Sequence, residues 1–335
     1  MTPIQSCIKE KRTTTNPIWL MRQAGRYLPE FRKIRAENPN FIELCLNEKL
    51  SNEITLQPIR RFDFDAAIIF SDILMVPFGF GQSVKFEKNF GPRLGEINLD
   101  QIINFDEKKF TEKLKPIYSL ISSLRNNKIT SNKDVIGFVG APWTILVYVI
   151  NKISPKKSLR EDFFKDKSLI NKLLVIITKF VKVHINNQIK AGATLIQIFD
   201  SWAGLLERDH DIEKFIYNPT QEIVKYTKDL NIPVICFPRG IKNYKRFCSL
   251  VEPDMINIDY DVDPRQMVED LSIPIQGGLD PNILLSNKEN LKKNVLRYLN
   301  IFNDHPYVFN LGHGILPQTQ IEMVEQLIHI VRNFK

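Results

Sequence analysis

Cysteine is scarce in this 335-residue chain: Cys7, Cys45, Cys236 and Cys248 are the four, and none are spaced as CxxC. Each therefore reads as a reduced or buried thiol of a cytosolic protein. No HxC pair occurs, which removes the compact ligand set that many zinc centres use. The amino-terminal stretch MTPIQSCIKEKRTTTNP lacks the apolar core of a signal peptide. The longest uncharged run, Val135 to Asn151, is interrupted by Gly140 and Pro142 and falls short of a membrane span. These absences lead to the expectation of a cytoplasmic protein that neither crosses nor anchors in a membrane. Dense basic runs are missing too. Lysine and arginine outnumber aspartate and glutamate by 46 to 38, a net charge of +8, yet lysine is spread in pairs such as Lys108-Lys109 and Lys156-Lys157. With a pI near 9.1, such diffuse charge suits an acidic small molecule better than a nucleic acid, for which no aromatic-basic motif exists.

What is present is a recurring pattern. Short apolar segments stand at Ile18–Met21, Ala66–Phe70, Val135–Val139, Thr194–Phe199, Pro233–Phe237, Met255–Ile258, Ile273–Gln276 and Tyr307–Leu311. Each runs into glycine, proline or a polar residue, as buried parallel strands do. Between them lie stretches of helical spacing, at Phe41–Arg61, Ser168–Ala191, Gln221–Leu230, Leu291–Ile301 and Gln318–Phe334. Hydrophobic residues make up 43% of the chain, enough for a substantial core. Eight strands alternating with helices predict a single (β/α)8 TIM barrel occupying residues 1–335 as one domain. A doubly wound open sheet is the alternative, but no GxGxxG follows the first strand. Residues 76–94, rich in Gly, Phe and Lys, predict an inserted loop or hairpin over the barrel mouth.

Active sites of such barrels form at the carboxyl ends of the strands. Applied here, that rule gathers Arg22, Gln23, Arg26, Asp72, Ser201 and His313 at one mouth, with Tyr148 on the segment leaving the third strand. Two guanidiniums in Arg22-Gln23-Ala24-Gly25-Arg26 form a candidate claw for carboxylates, because the planar fork matches carboxylate geometry and stays charged. Each residue also has an ordinary reading. The arginines would then be a solvated face, Asp72 and Ser201 helix caps, His313 a turn residue and Tyr148 a packed core side chain. Their shared address favours the mouth.

Five motifs then carry a resemblance. RQAGRYLPE at 22–30, FSDIL at 70–74, PWT at 142–144 with Tyr148 following, FDSWAG at 199–204 and NLGHG at 310–314 resemble the uroporphyrinogen decarboxylase family, in order and across nearly the whole chain. The resemblance implies a (β/α)8 barrel, a homodimer, no cofactor and no metal. It also implies stepwise loss of carbon dioxide from the four acetate arms of uroporphyrinogen III, giving coproporphyrinogen III in haem synthesis. Carried over motif by motif, it makes Arg22, Gln23, Ala24, Gly25 and Arg26 the substrate-binding stretch and Asp72 the transition-state-stabilising aspartate beneath the pyrrole nitrogens. Arg22, Arg26 and Tyr148 join Asp72 as catalytic residues, and Tyr148, Ser201 and His313 contact the macrocycle or its carboxylates. Arg35 and Phe199 match further positions near the substrate. One departure is Gly278, where the family usually has asparagine. The partner of that missing side chain is then expected to be absent or replaced by water, with loop stiffness affected more than chemistry. Two rivals are a zinc-dependent methyltransferase, disfavoured by the missing ligand cluster, and a non-catalytic barrel that binds polyanions and has no need of Asp72.

Overall fold

The computed structural model describes residues 1–11, 16–87, 90–155 and 158–334; the Lys156-Lys157 pair lies outside them. Among the described residues, seven strands form one parallel sheet. They are β1 (Ala66–Ile68), β4 (Asp134–Gly140), β5 (Leu195–Asp200), β6 (Val234–Pro238), β7 (Met255–Ile258), β8 (Ile275–Gly277) and β9 (Tyr307–Val308), paired in that order. The strands β2 (Val84–Glu87) and β3 (Gly91–Leu94) form a separate antiparallel hairpin. Every residue of β1, β4, β7 and β8 is buried. Burial on both faces is why these segments read as unbroken apolar runs rather than alternating ones. Helices intervene between successive strands. The longest, Lys167–Lys190, buries Ile170, Leu173, Ile177, Phe180, Val181 and Ile185 along one face. No described helix is long and apolar enough to cross a membrane.

The first expected strand is different. Ile18–Met21 forms a single parallel bridge, Ile18 to Phe309. On one side the Phe309 N–H donates to the Pro17 carbonyl at 2.8 Å; on the other the Asp65 N–H donates to the Ile18 carbonyl at 2.9 Å. The segment thus stands between β9 and the entrance to β1 without a ladder. Side chains have taken its donors: the Leu20 N–H goes to Gln23 Oε1 (3.1 Å) and the Met21 N–H to Asn310 Oδ1 (2.9 Å). A backbone group bonded to a side chain cannot also extend a sheet. Asn310 explains the short β9 in the same way, since its Oδ1 also accepts the Leu311 N–H.

The helical stretch expected over Phe41–Arg61 is two helices, Phe41–Cys45 and Glu48–Phe62. Asn47 separates them by accepting the Leu50 N–H, an N-cap that starts the second helix. After β1 the chain makes a short helix at Met75–Gly79 and then the β2–β3 hairpin. Phe86 of that hairpin packs on Phe41 with ring centroids 4.6 Å apart.

Gly278 corrects the expectation of a gap. Its φ of +100° is a conformation glycine tolerates, and a Cβ there would lie 2.6 Å from Tyr298 Cε1. The Tyr298 hydroxyl donates to the Gly278 carbonyl at 2.6 Å. A tyrosine ring, not water, fills the space.

A buried polar ladder ties the amino-terminal segment to the strands. Trp19 Nε1 donates to Gln276 Oε1 (2.8 Å), and Gln276 Nε2 donates to Asn257 Oδ1 (2.8 Å) and Gln197 Oε1 (3.2 Å). All four side chains are fully buried. Bonded polar groups in a dry interior specify one arrangement, because any slip leaves them unpaired. This arrangement sets the height of Trp19, and with it the turn three residues on.

Candidate active site

That turn carries Arg22. The Gln23 N–H donates to the Leu20 carbonyl at 2.9 Å, closing a tight turn. Arg22 sits in it at φ +60°, a region a non-glycine residue enters only when neighbours hold it there. Gln23 is the holder: its side chain is fully buried, accepting from Leu20 and donating to the Ala66 carbonyl at 2.9 Å. The Gln23 side chain therefore turns away from the mouth. Gly25 also serves the turn, since a Cβ there would lie 2.7 Å from the Arg22 carbonyl oxygen. Ala24 is half-buried beside it. Further on, the Arg22 side chain lies across Gly314, where any Cβ would collide with its Cδ, with Cγ and Nε at 2.8 Å. Arg26 is exposed, close enough to Arg22 that the two charges oppose each other. Among the described residues, neither has a carboxylate within 4.0 Å.

Asp72 follows β1. Its Oδ1 accepts the Leu74 N–H at 2.9 Å in a local turn. The helix Met75–Gly79 that follows has Leu74 at its N-cap and no side-chain cap, so Asp72 is not the helix cap expected from sequence. Burial pushes its carboxyl up to about 6, against the opposing pull of the Leu74 hydrogen bond and the Arg22 charge. Asp72 as a whole is half-buried. Tyr148, on the helix Pro142–Asn151, shares a hydrogen bond with Ser154 at 3.0 Å and stands edge-on to Trp202. It lies within electrostatic range of both Asp72 and Arg22, and burial raises its hydroxyl pKa.

His313 approaches from the chain after β9. The Gly314 N–H donates to its Nδ1 at 2.7 Å. An accepting Nδ1 assigns the proton to Nε2, which leaves a neutral ring with a free donor. Burial, and then the Arg239 and Arg22 charges, lower its pKa to about 4. At the end of β5, Phe199 is half-buried and edge-on to Phe138 and Phe237, with centroids 5.5 and 6.5 Å away. The three rings make an apolar patch across adjacent strands. Ser201, just beyond, is half-buried. Arg35 stands apart from this group. It donates to the Asn38 carbonyl, and its guanidinium lies 5.7 Å over the Phe41 ring. It connects to the mouth through Cys45, whose thiol feels both Asp72 and Arg35.

Three residues at the mouth escape sequence reasoning: Phe237, Arg239 and Asp259. All belong to strand ends already read as such, so the address rule that selected Asp72 and His313 would have found them. A cavity of about 570 Å³ lined by Ile97, Lys152, Asp162, Phe163 and Leu173 lies elsewhere, at the far end of the Pro142–Asn151 helix. None of the mouth residues lines it.

A seven-stranded parallel α/β sheet whose carboxyl ends present guanidiniums without an ion-pair partner among the described residues, and a half-buried carboxylate beside an aromatic patch, defines a class: α/β proteins with a strand-end site suited to an acid-rich, partly apolar ligand. Within that class the assignment is specific. The uroporphyrinogen decarboxylase family model matches residues 1–334, and the chain belongs to that family. It is 40% identical over 341 residues to a uroporphyrinogen decarboxylase from Rickettsia bellii (strain RML369-C), covering 100% of this chain and 99% of the relative. A second relative of the same name, from Rickettsia canadensis (strain McKiel), is 37% identical and covers 95% of each chain. Among solved structures, a methyltransferase from Methanosarcina mazei superposes with a TM-score of 0.78 at 15% identity, covering 97% of this chain and 96% of that one. The last likeness concerns fold alone.

Proposed function

We propose that this chain decarboxylates uroporphyrinogen III, converting its four acetate arms to methyl groups and giving coproporphyrinogen III and carbon dioxide in haem synthesis. Family membership supports the reaction. The observation that carries the residue assignment is Asp72: a carboxylate bonded through one oxygen to Leu74, half-buried and flanked by unpaired Arg22. Decarboxylation leaves an electron pair on the acetate carbon. Protonating the neighbouring pyrrole carbon first makes the ring a cationic sink for that pair, so the substrate supplies its own electron acceptor. Asp72 accepts the pyrrole N–H groups and stabilises the cation; preorganised charge of this kind is worth about 3–4 kcal/mol of barrier.

Arg22 and Arg26 hold carboxylate arms, with Ser201 and the His313 Nε2–H as neutral donors. Phe199 offers the macrocycle an apolar face, and Tyr148 braces the Asp72 side. Gln23 acts through the turn it holds. Arginine is a poor acid at its reference pKa, so a substrate carboxyl or water relays the proton under Arg22 control.

The same proposal includes a closed (β/α)8 barrel in which residues 17–21 fill the place of the eighth strand, supported by the bonds from Pro17 to Phe309 and from Asp65 to Ile18. It also takes residues 1–335 as one domain, forming a homodimer in the cytoplasm. Anaerobic incubation with uroporphyrinogen III and chromatography of the oxidised products tests the function. Accumulation of seven- to four-carboxylate porphyrins supports it, and unchanged substrate refutes it. Sedimentation at micromolar concentration decides the dimer.

A further inference from the structure

Arg239 leaves β6 in an unusually fixed position. Its N–H donates to the Asp200 carbonyl and its carbonyl accepts the Gly204 N–H, both at 3.0 Å. Gly204 packs so closely on Gly240 that a Cβ would lie 2.7 Å from the Gly240 oxygen. The side chain is tethered as well. Arg239 Nε lies 3.7 Å from Asp259 Oδ1, with the arginine side chain 33% exposed and the aspartate side chain 4% exposed. Asp259 Oδ2 accepts the Gly240 N–H at 2.8 Å, while Oδ1, though buried, has no hydrogen-bond partner. Burying a carboxylate oxygen without a hydrogen bond beside an arginine makes sense if its task is to aim that arginine.

The target is the mouth. The loop bearing His313 is pressed onto Asp259–Tyr260: a Cβ on Gly312 would lie 2.7 Å from Tyr260 Cα. Arg239 is near enough to both His313 and Arg22 that its charge lowers their pKa values. Among the described residues, the terminal nitrogens of Arg239 make no hydrogen bond and no ion pair other than with Asp259. A guanidinium with its Nε side held and its fork open, across from Arg22, is preorganised for a carboxylate.

We infer that Arg239 is a further carboxylate-binding residue of this site, and that Asp259 is its positioning residue. The inference rests on the proposed decarboxylation of a multiply carboxylated substrate. It is tested by steady-state kinetics on uroporphyrinogen III with Arg239→Gln, Arg239→Lys, Asp259→Asn and the Arg239→Gln/Asp259→Asn double variant. Arg239→Gln raises KM roughly tenfold with kcat within about threefold, the mark of binding lost equally from ground and transition states. Arg239→Lys, which keeps the charge and loses the fork, recovers part of that loss. Asp259→Asn raises KM by a smaller factor, and the double variant is no worse than Arg239→Gln, because an aim without an arm has no effect. A KM for both arginine variants within twofold of wild type overturns the inference, as do Arg239 and Asp259 effects that simply multiply. A wild-type protein that leaves uroporphyrinogen untouched fails the parent reading instead.

Discussion

At the amino ends of the strands, Asp134 accepts hydrogen bonds from Thr2 Oγ1 (2.6 Å), the Ile4 N–H (2.9 Å) and Thr194 Oγ1 (2.9 Å). It clamps the helix Pro3–Glu10 onto β4. Asp65 on the same side accepts the Ile18 N–H at 2.6 Å and pairs with Arg332 at 2.8 Å. At the carboxyl ends the aspartates are left partly unmatched. Asp72 has one hydrogen bond and Asp259 keeps a buried oxygen without one. Asp200 likewise bonds Thr144 through Oδ1 and leaves Oδ2 without a partner, and burial pushes its carboxyl up to about 7. Unmatched buried polar groups cost stability. Among these aspartates, the unmatched oxygens belong to Asp72, Asp200 and Asp259 at the carboxyl ends, and that difference separates the end that holds the fold together from the end that is ready for a ligand.

The sharpest way to break this contrast is Asp72→Asn. Turnover falls by about two orders of magnitude or more while the fold persists; a folded variant with near-normal turnover removes Asp72 from catalysis. In the wild type, turnover declines as pH drops through about 6, where Asp72 takes up its proton, and the variant lacks this limb. Stability moves the other way. Because the folded-state pKa is raised from 3.8 to about 6, the folded protein binds the proton more tightly, and stability declines as pH rises through that window. Asp72→Asn is therefore at least as stable as wild type at pH 7 by urea denaturation.

Asp134→Asn is the mirror experiment. The amide cannot accept at every position, and its N–H2 confronts the Ile4 N–H or a Thr hydroxyl. Urea denaturation shows a loss of about 1–3 kcal/mol, and kcat is unchanged. A kcat effect without a stability effect would erase the division between the two ends.

Gly314→Ala perturbs the mouth without touching a charge. The added methyl displaces Arg22, and kcat/KM drops roughly tenfold with little change in melting temperature. Unaltered kinetics would show that Arg22 has no fixed place. The smallest effect is at Gly278→Asn, whose side chain meets Tyr298. Chemical denaturation registers about 1–2 kcal/mol of destabilisation, and product distribution stays the same.

Residues such as Val135–Val139 and Met255–Ile258 were legible as strands because burial on both faces demands continuous apolar sequence. Ile18–Met21 has the same composition and forms one bridge, since Gln23 and Asn310 intercept its N–H groups. Asn310 is distant in sequence, and no local pattern announces that competition. The break at Asn47 was locally encoded and is missed only because the apolar spacing runs through it. At the site, residue type and strand-end position pointed to Arg22, Asp72 and His313. Arg239 stood at the same kind of position, but its meaning depends on a buried carboxylate one strand away.

Gly25 shows the same limit. The resemblance places it in the substrate-binding stretch, and the structure shows what requires a glycine there: a Cβ would meet the Arg22 carbonyl.

Sequence alone determined the α/β class, the positions of most strands and the chemical character of the mouth, because periodic burial and strand-end residue types are local properties. Tertiary structure decided which carboxylates are satisfied, which guanidiniums stay free, and which glycines are there for a neighbour. Those outcomes depend on groups brought within about 3–4 Å by the fold, the range over which hydrogen bonds and ion pairs act.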